Sequence, residues 1–175
     1  MKPIYLVGFM GCGKTTVGNI LSEQLNIQFV DIDEEIILHT SKTIPTIFEE
    51  YGENGFRDIE SEVLKKVTSN DAVISTGGGI ITREENINFM KKNGILFYLE
   101  TSIEILYERI CFDHNRPNAK NRSLDDMQAL FANRKSAYEK ADFSILSNTL
   151  SPLEVALEII NCLNSIKGGD SRNKN

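Results

Sequence analysis

The chain has 175 residues, of which 41% are hydrophobic and 25% are charged, and its formal net charge is −6. This length favours a single domain whose core needs no disulfide bonds. The acidic balance argues against a nucleic-acid partner, which would require a basic surface, and without an apolar run of roughly 18 residues we expect no contact with a membrane.

Short apolar runs alternate with helical patterns along the chain. Five runs are continuous and rich in β-branched and aromatic residues, which is typical of strands buried on both faces of a parallel sheet. These runs read IYLVGF, IQFVDI, AVISTG, ILFYLE and DFSIL. Helices are predicted at Lys14–Leu25, Glu34–His39, Ile44–Tyr51, Asn54–Val67, Glu84–Lys92, Ile103–Phe112, Leu124–Lys140 and Pro152–Ile166. Such alternation predicts an α/β fold with helices on both faces of one sheet.

Two polar segments fall outside this alternation. Residues 112–123, FDHNRPNAKNRS, show no periodicity and are expected to form a long exposed loop that acts as a lid. Residues 168–175 are polar, and we expect a disordered tail there. The sequence therefore predicts one domain over residues 1–167.

The segment after the first predicted strand carries a phosphate-binding motif. GFMGCGKT, Gly8 to Thr15, fits G-x-x-x-x-G-K-[ST] and stands between a predicted strand and a predicted helix. Backbone N–H groups of such a loop, together with the helix N-terminus, bind phosphates. We expect Lys14 to reach the β- and γ-phosphates and Thr15 to offer its hydroxyl to Mg²⁺, so the chain should bind ATP or GTP.

Two carboxylates, Asp31 and Asp33, stand at the end of the second predicted strand. Ligands of open α/β sheets bind beyond that edge. One carboxylate can therefore face a metal ion while the other accepts a proton from a substrate hydroxyl. The alternative is that one of them only caps the helix that follows.

An arginine and a glutamate three residues apart, Arg57 and Glu60 of GENGFRDIE, share one helix face. Held by Glu60, Arg57 can present a planar fork to a carboxylate. The spacing is equally typical of a surface ion pair of small value.

Three consecutive glycines follow the third predicted strand in VISTGGGI. Glycine costs backbone entropy, so such a run requires a close approach to the main chain. We interpret the run as room for a second ligand, since the phosphate loop lies elsewhere. An irregular turn between strand and helix is the alternative.

Together these motifs resemble the shikimate kinase family of P-loop small-metabolite kinases. The resemblance covers about Ile4 to Ile166 and also includes the RP of segment 112–123 and RKSAYEKAD. It implies a five-stranded parallel sheet in the order 2-3-1-4-5 and a mobile lid. It also implies transfer of the ATP γ-phosphoryl group to the 3-hydroxyl of shikimate, in the pathway to chorismate and the aromatic amino acids.

The resemblance further implies a role for each matching residue. The residues implied in catalysis are Asp33, which deprotonates the hydroxyl, together with Lys14 and the lid residue Arg116. Those implied in ATP binding are Gly11, Cys12, Gly13, Lys14, Thr15, Thr16, Arg109 (at the adenine) and Arg116. Those implied in shikimate binding are Asp33, Phe48, Phe56, Arg57, Glu60, Gly77, Gly78, Gly79 and Arg134. One Mg²⁺ is implied at Thr15 and Asp31.

Two other interpretations stay open from the sequence. Another P-loop kinase, for gluconate or a nucleoside monophosphate, should lack paired carboxylate-binding arginines around the three glycines. A non-catalytic nucleotide-binding homologue should have lost Lys14, Asp33 or Arg134, and all three are present. We further expect a cytoplasmic protein, because the three cysteines are odd in number and far apart and the N-terminus shows no signal-peptide pattern. We expect a monomer, because no long apolar helix face stands out.

Overall fold

Five strands form one parallel sheet in this computed structural model, which describes residues 1–112 and 123–170. The strand order is β2-β3-β1-β4-β5. The strands are Ile4–Val7 (β1), Gln28–Asp31 (β2), Ala72–Ser75 (β3), Ile95–Glu100 (β4) and Phe143–Leu146 (β5). Fold class and strand order are thus as predicted.

β1 lies at the centre of the sheet. It pairs with β3 on one side and with β4 on the other, and all four of its residues are buried. A strand covered on both faces needs apolar side chains at every position, which explains its continuous apolar run.

Seven helices pack against the sheet within the described residues. They are Lys14–Leu25 (α1), Ile32–Thr40 (α2), Ile44–Val67 (α3), Glu84–Asn93 (α4), Ile103–Phe112 (α5), Leu124–Tyr138 (α6) and Pro152–Asp170 (α7). A short 3₁₀ turn, Ile80–Thr82, follows β3. No helix among residues 1–112 and 123–170 is long and apolar enough to cross a bilayer.

Helix boundaries differ from prediction at a few ends. α2 begins at Ile32 rather than Glu34, because the Asp31 side chain caps it by accepting the Asp33 N–H at 3.0 Å. α6 ends at Tyr138 rather than Lys140, and α7 continues past Ile166 to Asp170.

α3 is interrupted where the sequence predicts a break between two helices. Gly52 has φ 65° and ψ −175°, which is outside helical geometry. Such a positive φ favours glycine, which has no Cβ to strain. The break separates the segment that carries Phe48 from the segment that carries Arg57 and Glu60.

The fold brings the predicted motifs to one edge of the sheet. The strands are parallel, so the segments after β1, β2 and β3 all leave at the carboxyl end, where α/β proteins bind ligands. These segments carry the phosphate loop, the two aspartates and the three glycines. The expected lid residue Arg116 lies outside the described residues.

Candidate active site

The phosphate loop joins β1 to α1. Gly13 is the N-cap of α1, with φ 92°, and supplies no side-chain cap. The first N–H groups of the helix therefore have no capping side chain and can meet an anion.

Lys14 is held by the loop itself. It is only 9% exposed, and its Nζ donates to the carbonyl oxygens of Gly8 at 2.8 Å and Phe9 at 3.1 Å. These two carbonyls hold the ammonium group within the loop, where phosphate oxygens can exchange with them.

Cys12 is buried inside the loop. Its Sγ lies 3.6 Å from the Lys14 Nζ, and its backbone N–H bonds the Phe9 carbonyl at 3.3 Å. The thiol thus faces the protein interior, and the Cys12 N–H is engaged within the loop.

Asp31 is the helix cap that the sequence allowed, and it also bonds the phosphate loop. One carboxylate oxygen caps α2, while the other accepts the Thr15 hydroxyl at 2.9 Å. This hydroxyl–carboxylate pair supplies two hard oxygens at the mouth of the phosphate loop. Mg²⁺ is commonly bound through one or two such protein oxygens plus phosphates and water. The pair therefore fits Mg²⁺.

Asp33 and Glu60 converge at Gly77. A Cβ added to Gly77 would lie 2.7 Å from Glu60 Oε1 and 3.1 Å from Asp33 Oδ1. Glycine is required here because two carboxyl groups occupy the place of a side chain. Asp33 also lines the cleft beside the phosphate loop.

The Arg57–Glu60 pair is buried, unlike the surface ion pair that its spacing also allows. Arg57 Nη1 donates to Glu60 Oε2 at 2.7 Å, and Glu60 is fully buried. Arg57 Nε and Glu60 Oε1 have no hydrogen-bond partner among the described residues. Burial raises the pKa of Glu60 to about 7, while the charge of Arg57 opposes the rise and that of Asp33 adds to it.

The three glycines make room for the protein's own groups. A Cβ on Gly79 would overlap the Arg57 guanidinium, and one on Gly78 would lie 3.3 Å from the Met10 backbone N. None of the three has a positive φ. The close approach inferred from sequence is therefore made by protein side chains and by the phosphate loop, and it leaves the backbone unstrained.

Helix α6 contributes two donors to this loop. The Gly78 carbonyl accepts hydrogen bonds from Arg134 Nη1, at 3.3 Å, and from the Tyr138 hydroxyl. Sequence reasoning assigned no role to Tyr138. The signal was available, since Tyr138 stands four residues after Arg134 and therefore shares its helix face.

Two phenylalanines stack beside Arg57. The rings of Phe48 and Phe56 are 4.5 Å apart and inclined by 26°. Phe56 is buried, its ring 5.0 Å from the Arg57 guanidinium, whereas Phe48 is 37% exposed. An apolar wall thus stands next to the buried cation.

Two adjoining cavities share the phosphate loop. The first, of about 290 Å³, is lined by the loop together with Asp31, Asp33, Ser75–Gly78, Arg109 and Ile110. The second, of about 350 Å³, is lined by Gly11–Gly13, Thr16, Val17, Arg109, Ser147, Leu150, Pro152 and Val155. Arg109 borders both and donates to the Gly11 carbonyl at 3.4 Å. Sequence reasoning did not single out Pro152 and Val155 of this second cavity, because they belong to α7, far away in the chain from the phosphate loop.

Comparisons with known proteins point to one family. A family model described as shikimate kinase matches residues 10–164. Among curated proteins, the shikimate kinase of Macrococcus caseolyticus is 42% identical over 163 residues, 93% of this chain and 97% of the relative. The shikimate kinase of Aquifex aeolicus is 44% identical over 158 residues, 90% of this chain and 93% of the relative. A solved shikimate kinase from Acinetobacter baumannii, in complex with shikimate, is 40% identical with a TM-score of 0.87 and covers 95% of each chain.

Proposed function

Because the chain belongs to the shikimate kinase family, we propose that it transfers the γ-phosphoryl group of ATP to the 3-hydroxyl of shikimate, giving shikimate 3-phosphate and ADP. The observation that carries this proposal is the buried Arg57–Glu60 pair at the three glycines, together with Arg134 of α6, which bonds the same loop. Two arginines directed at one loop suit an acceptor that has a carboxylate.

The acceptor carboxylate binds Arg57 and Arg134. Glu60 fixes one end of the Arg57 fork at 2.7 Å, so the remaining N–H groups are oriented before the ligand arrives. Phe48 and Phe56 cover a face of the ring, and the backbone at Gly78 lies beside its hydroxyls.

Asp33 takes the proton of the 3-hydroxyl as the phosphoryl group transfers. It lines the same cavity as Lys14, so the reacting hydroxyl and the γ-phosphate meet there. Phosphoryl transfer depends mainly on positioning and on charge neutralisation. Lys14 supplies the neutralising charge once phosphate oxygens replace the Gly8 and Phe9 carbonyls. Arg116, which lies outside the described residues, is proposed to add a second positive charge.

Thr15 and Asp31 are the proposed protein groups for Mg²⁺, with Asp31 acting through water. When held there, Mg²⁺ would supply positive charge to the bound phosphates. Arg109 is proposed to lie against the adenine, in the cavity whose apolar side is formed by Leu150, Pro152 and Val155.

An assay of ADP release tests the proposed acceptor. We expect turnover with shikimate and none above background with gluconate or nucleoside monophosphates. Turnover with gluconate or a nucleotide in place of shikimate would overturn the proposal, and no turnover with any acceptor would favour the non-catalytic alternative.

The proposed setting is a cytoplasmic monomer. The free thiols of Cys12 and Cys162 support a reducing compartment. Light scattering on the purified protein checks the mass, and a dimer would contradict the monomer.

A further inference from the structure

The Gly78 carbonyl belongs to the loop of three glycines, Gly77–Gly79, which we call the acceptor loop, and it links this loop to α6. It accepts the Tyr138 hydroxyl and the longer bond from Arg134. On its other side Gly78 packs against the backbone of the phosphate loop, where an added Cβ would lie 3.3 Å from Met10 N. This one peptide group therefore lies between α6 and the nucleotide-binding segment.

We propose that Tyr138 is a positioning residue that holds the Gly78 carbonyl in place when Arg134 turns to the acceptor carboxylate. The proposal rests on the function proposed above. It predicts that the Tyr138 hydroxyl contributes to acceptor binding although it never touches the acceptor.

Arg134 and Tyr138 both donate to the Gly78 carbonyl, but the acceptor carboxylate attracts them to different extents. A carboxylate is a stronger partner for a guanidinium than a neutral carbonyl, because both groups of the new bond are charged. An arriving acceptor thus draws Arg134 from a bond that is already long at 3.3 Å. A phenol has no comparable attraction to the carboxylate, so Tyr138 stays on the carbonyl.

Tyr138 is built to remain in place. Its side chain is fully buried, and its ring stacks on Tyr98 at 5.1 Å with an angle of 8° between the planes. Burial also raises the pKa of the Tyr138 phenol far above its usual range, so the hydroxyl remains a donor at any physiological pH.

Movement of Gly78 would affect acceptor binding, because Gly77 and Gly79 would move with it. A side chain on Gly79 would already overlap the Arg57 guanidinium, and Gly77 has equally little space beside Asp33 and Glu60. A shift of this loop would displace the charged groups that bind and activate the acceptor.

Tyr98 provides a matched control. It is as buried as Tyr138 and forms the other half of the stack, but its hydroxyl has no hydrogen-bond partner among the described residues. Phenylalanine at either position keeps the stacked ring and removes one oxygen. Only Tyr138→Phe should affect the acceptor loop.

The experiment compares Tyr138→Phe, Tyr98→Phe and wild type by steady-state kinetics, by direct binding of shikimate and ADP, and by thermal unfolding. Leaving a half-buried carbonyl without its best donor should raise the KM and Kd for shikimate by about 5- to 20-fold. The constants for ATP and ADP should change less than about twofold, and Tyr98→Phe should match wild type. Unchanged shikimate constants in Tyr138→Phe, or equal losses for both ligands, would overturn the proposal.

The methyl ester of shikimate tests the exchange of partners at Gly78. Without a free carboxylate the ligand does not draw Arg134 away, so Tyr138→Phe should weaken binding of the ester less than binding of shikimate. Equal weakening would show that Arg134 never leaves the carbonyl, which contradicts the proposal. Wild-type protein that neither binds nor phosphorylates shikimate would instead reject the proposed function itself.

Discussion

Glu60 places a carboxyl group in the interior, with one oxygen bonded to Arg57 and the other without a partner among the described residues. Burial favours the neutral acid and raises the pKa of Glu60 to about 7, although Arg57 favours the anion. The folded protein therefore holds a proton on Glu60 between about pH 4.5 and 7, where an unfolded chain would have released it.

This raised pKa predicts a loss of stability on the alkaline side. The contribution of Glu60 is fully present below about pH 4.5 and is lost as the pH rises through 7, amounting to roughly 2–4 kcal/mol. Glu60→Gln should remove that part of the pH dependence. Urea unfolding at pH 5 and pH 8 measures the difference, with Glu49→Gln as a control because Glu49 is exposed on the same helix. Equal losses in wild type and Glu60→Gln would refute the raised pKa.

Asp33 is the proposed base, and its amide variant separates chemistry from folding. Asp33→Asn keeps the size of the side chain but cannot take the hydroxyl proton, so kcat should fall by about 10²- to 10⁴-fold. The melting temperature should stay near that of wild type.

Glu34→Gln is the matched control for Asp33→Asn, since Glu34 is the exposed neighbour on α2. It should retain full turnover. Near wild-type turnover in Asp33→Asn would leave Asp33 as a substrate ligand without a role in proton transfer.

The three glycines after β3 have no side chains, and the neighbouring charged groups occupy that space. Gly79→Ala would place a methyl group on the buried Arg57 guanidinium, so Arg57 should be displaced from Glu60 and the protein should lose some stability. We expect the shikimate KM to rise by about 10-fold or more, because a two-point bond to the carboxylate is lost, and the ATP KM to stay unchanged.

A double variant tests whether displacement of Arg57 causes the effect of Gly79→Ala. If displacement of Arg57 explains the loss, adding Gly79→Ala to Arg57→Lys should weaken shikimate binding little further. Additive losses would mean that the methyl group acts elsewhere in the loop.

The sheet as a whole brings two binding regions to one edge, so each ligand should stabilise the entire domain. At about 100 times its Kd a ligand adds about 2.7 kcal/mol, which for a chain of this length should raise Tm by roughly 5–10 °C. Shikimate and Mg-ADP should each produce such a shift in thermal unfolding.

Arginine variants assign each shift to its region. Arg57→Lys should lose the shikimate shift at the same concentration and keep the Mg-ADP shift. Arg83→Lys, whose arginine pairs with exposed Asp58 at 2.7 Å, should keep both. Loss of both shifts in Arg57→Lys would mean that Arg57 supports the fold rather than the acceptor.

Fold class and the phosphate loop were predictable from the residues, because they depend on local periodicity and on motifs within a few residues, and the strand order followed from the family resemblance. The sequence also predicted that Arg57 and Glu60 are neighbours, since three residues separate them on one helix.

The environment that those neighbours share became visible in the folded protein alone. Burial of Glu60, the position of Arg57 under Gly79, and the bond from Tyr138 to Gly78 depend on residues up to 60 apart in the chain. No local pattern specifies such packing, because it arises when parallel strands bring their following segments to the same edge of the sheet.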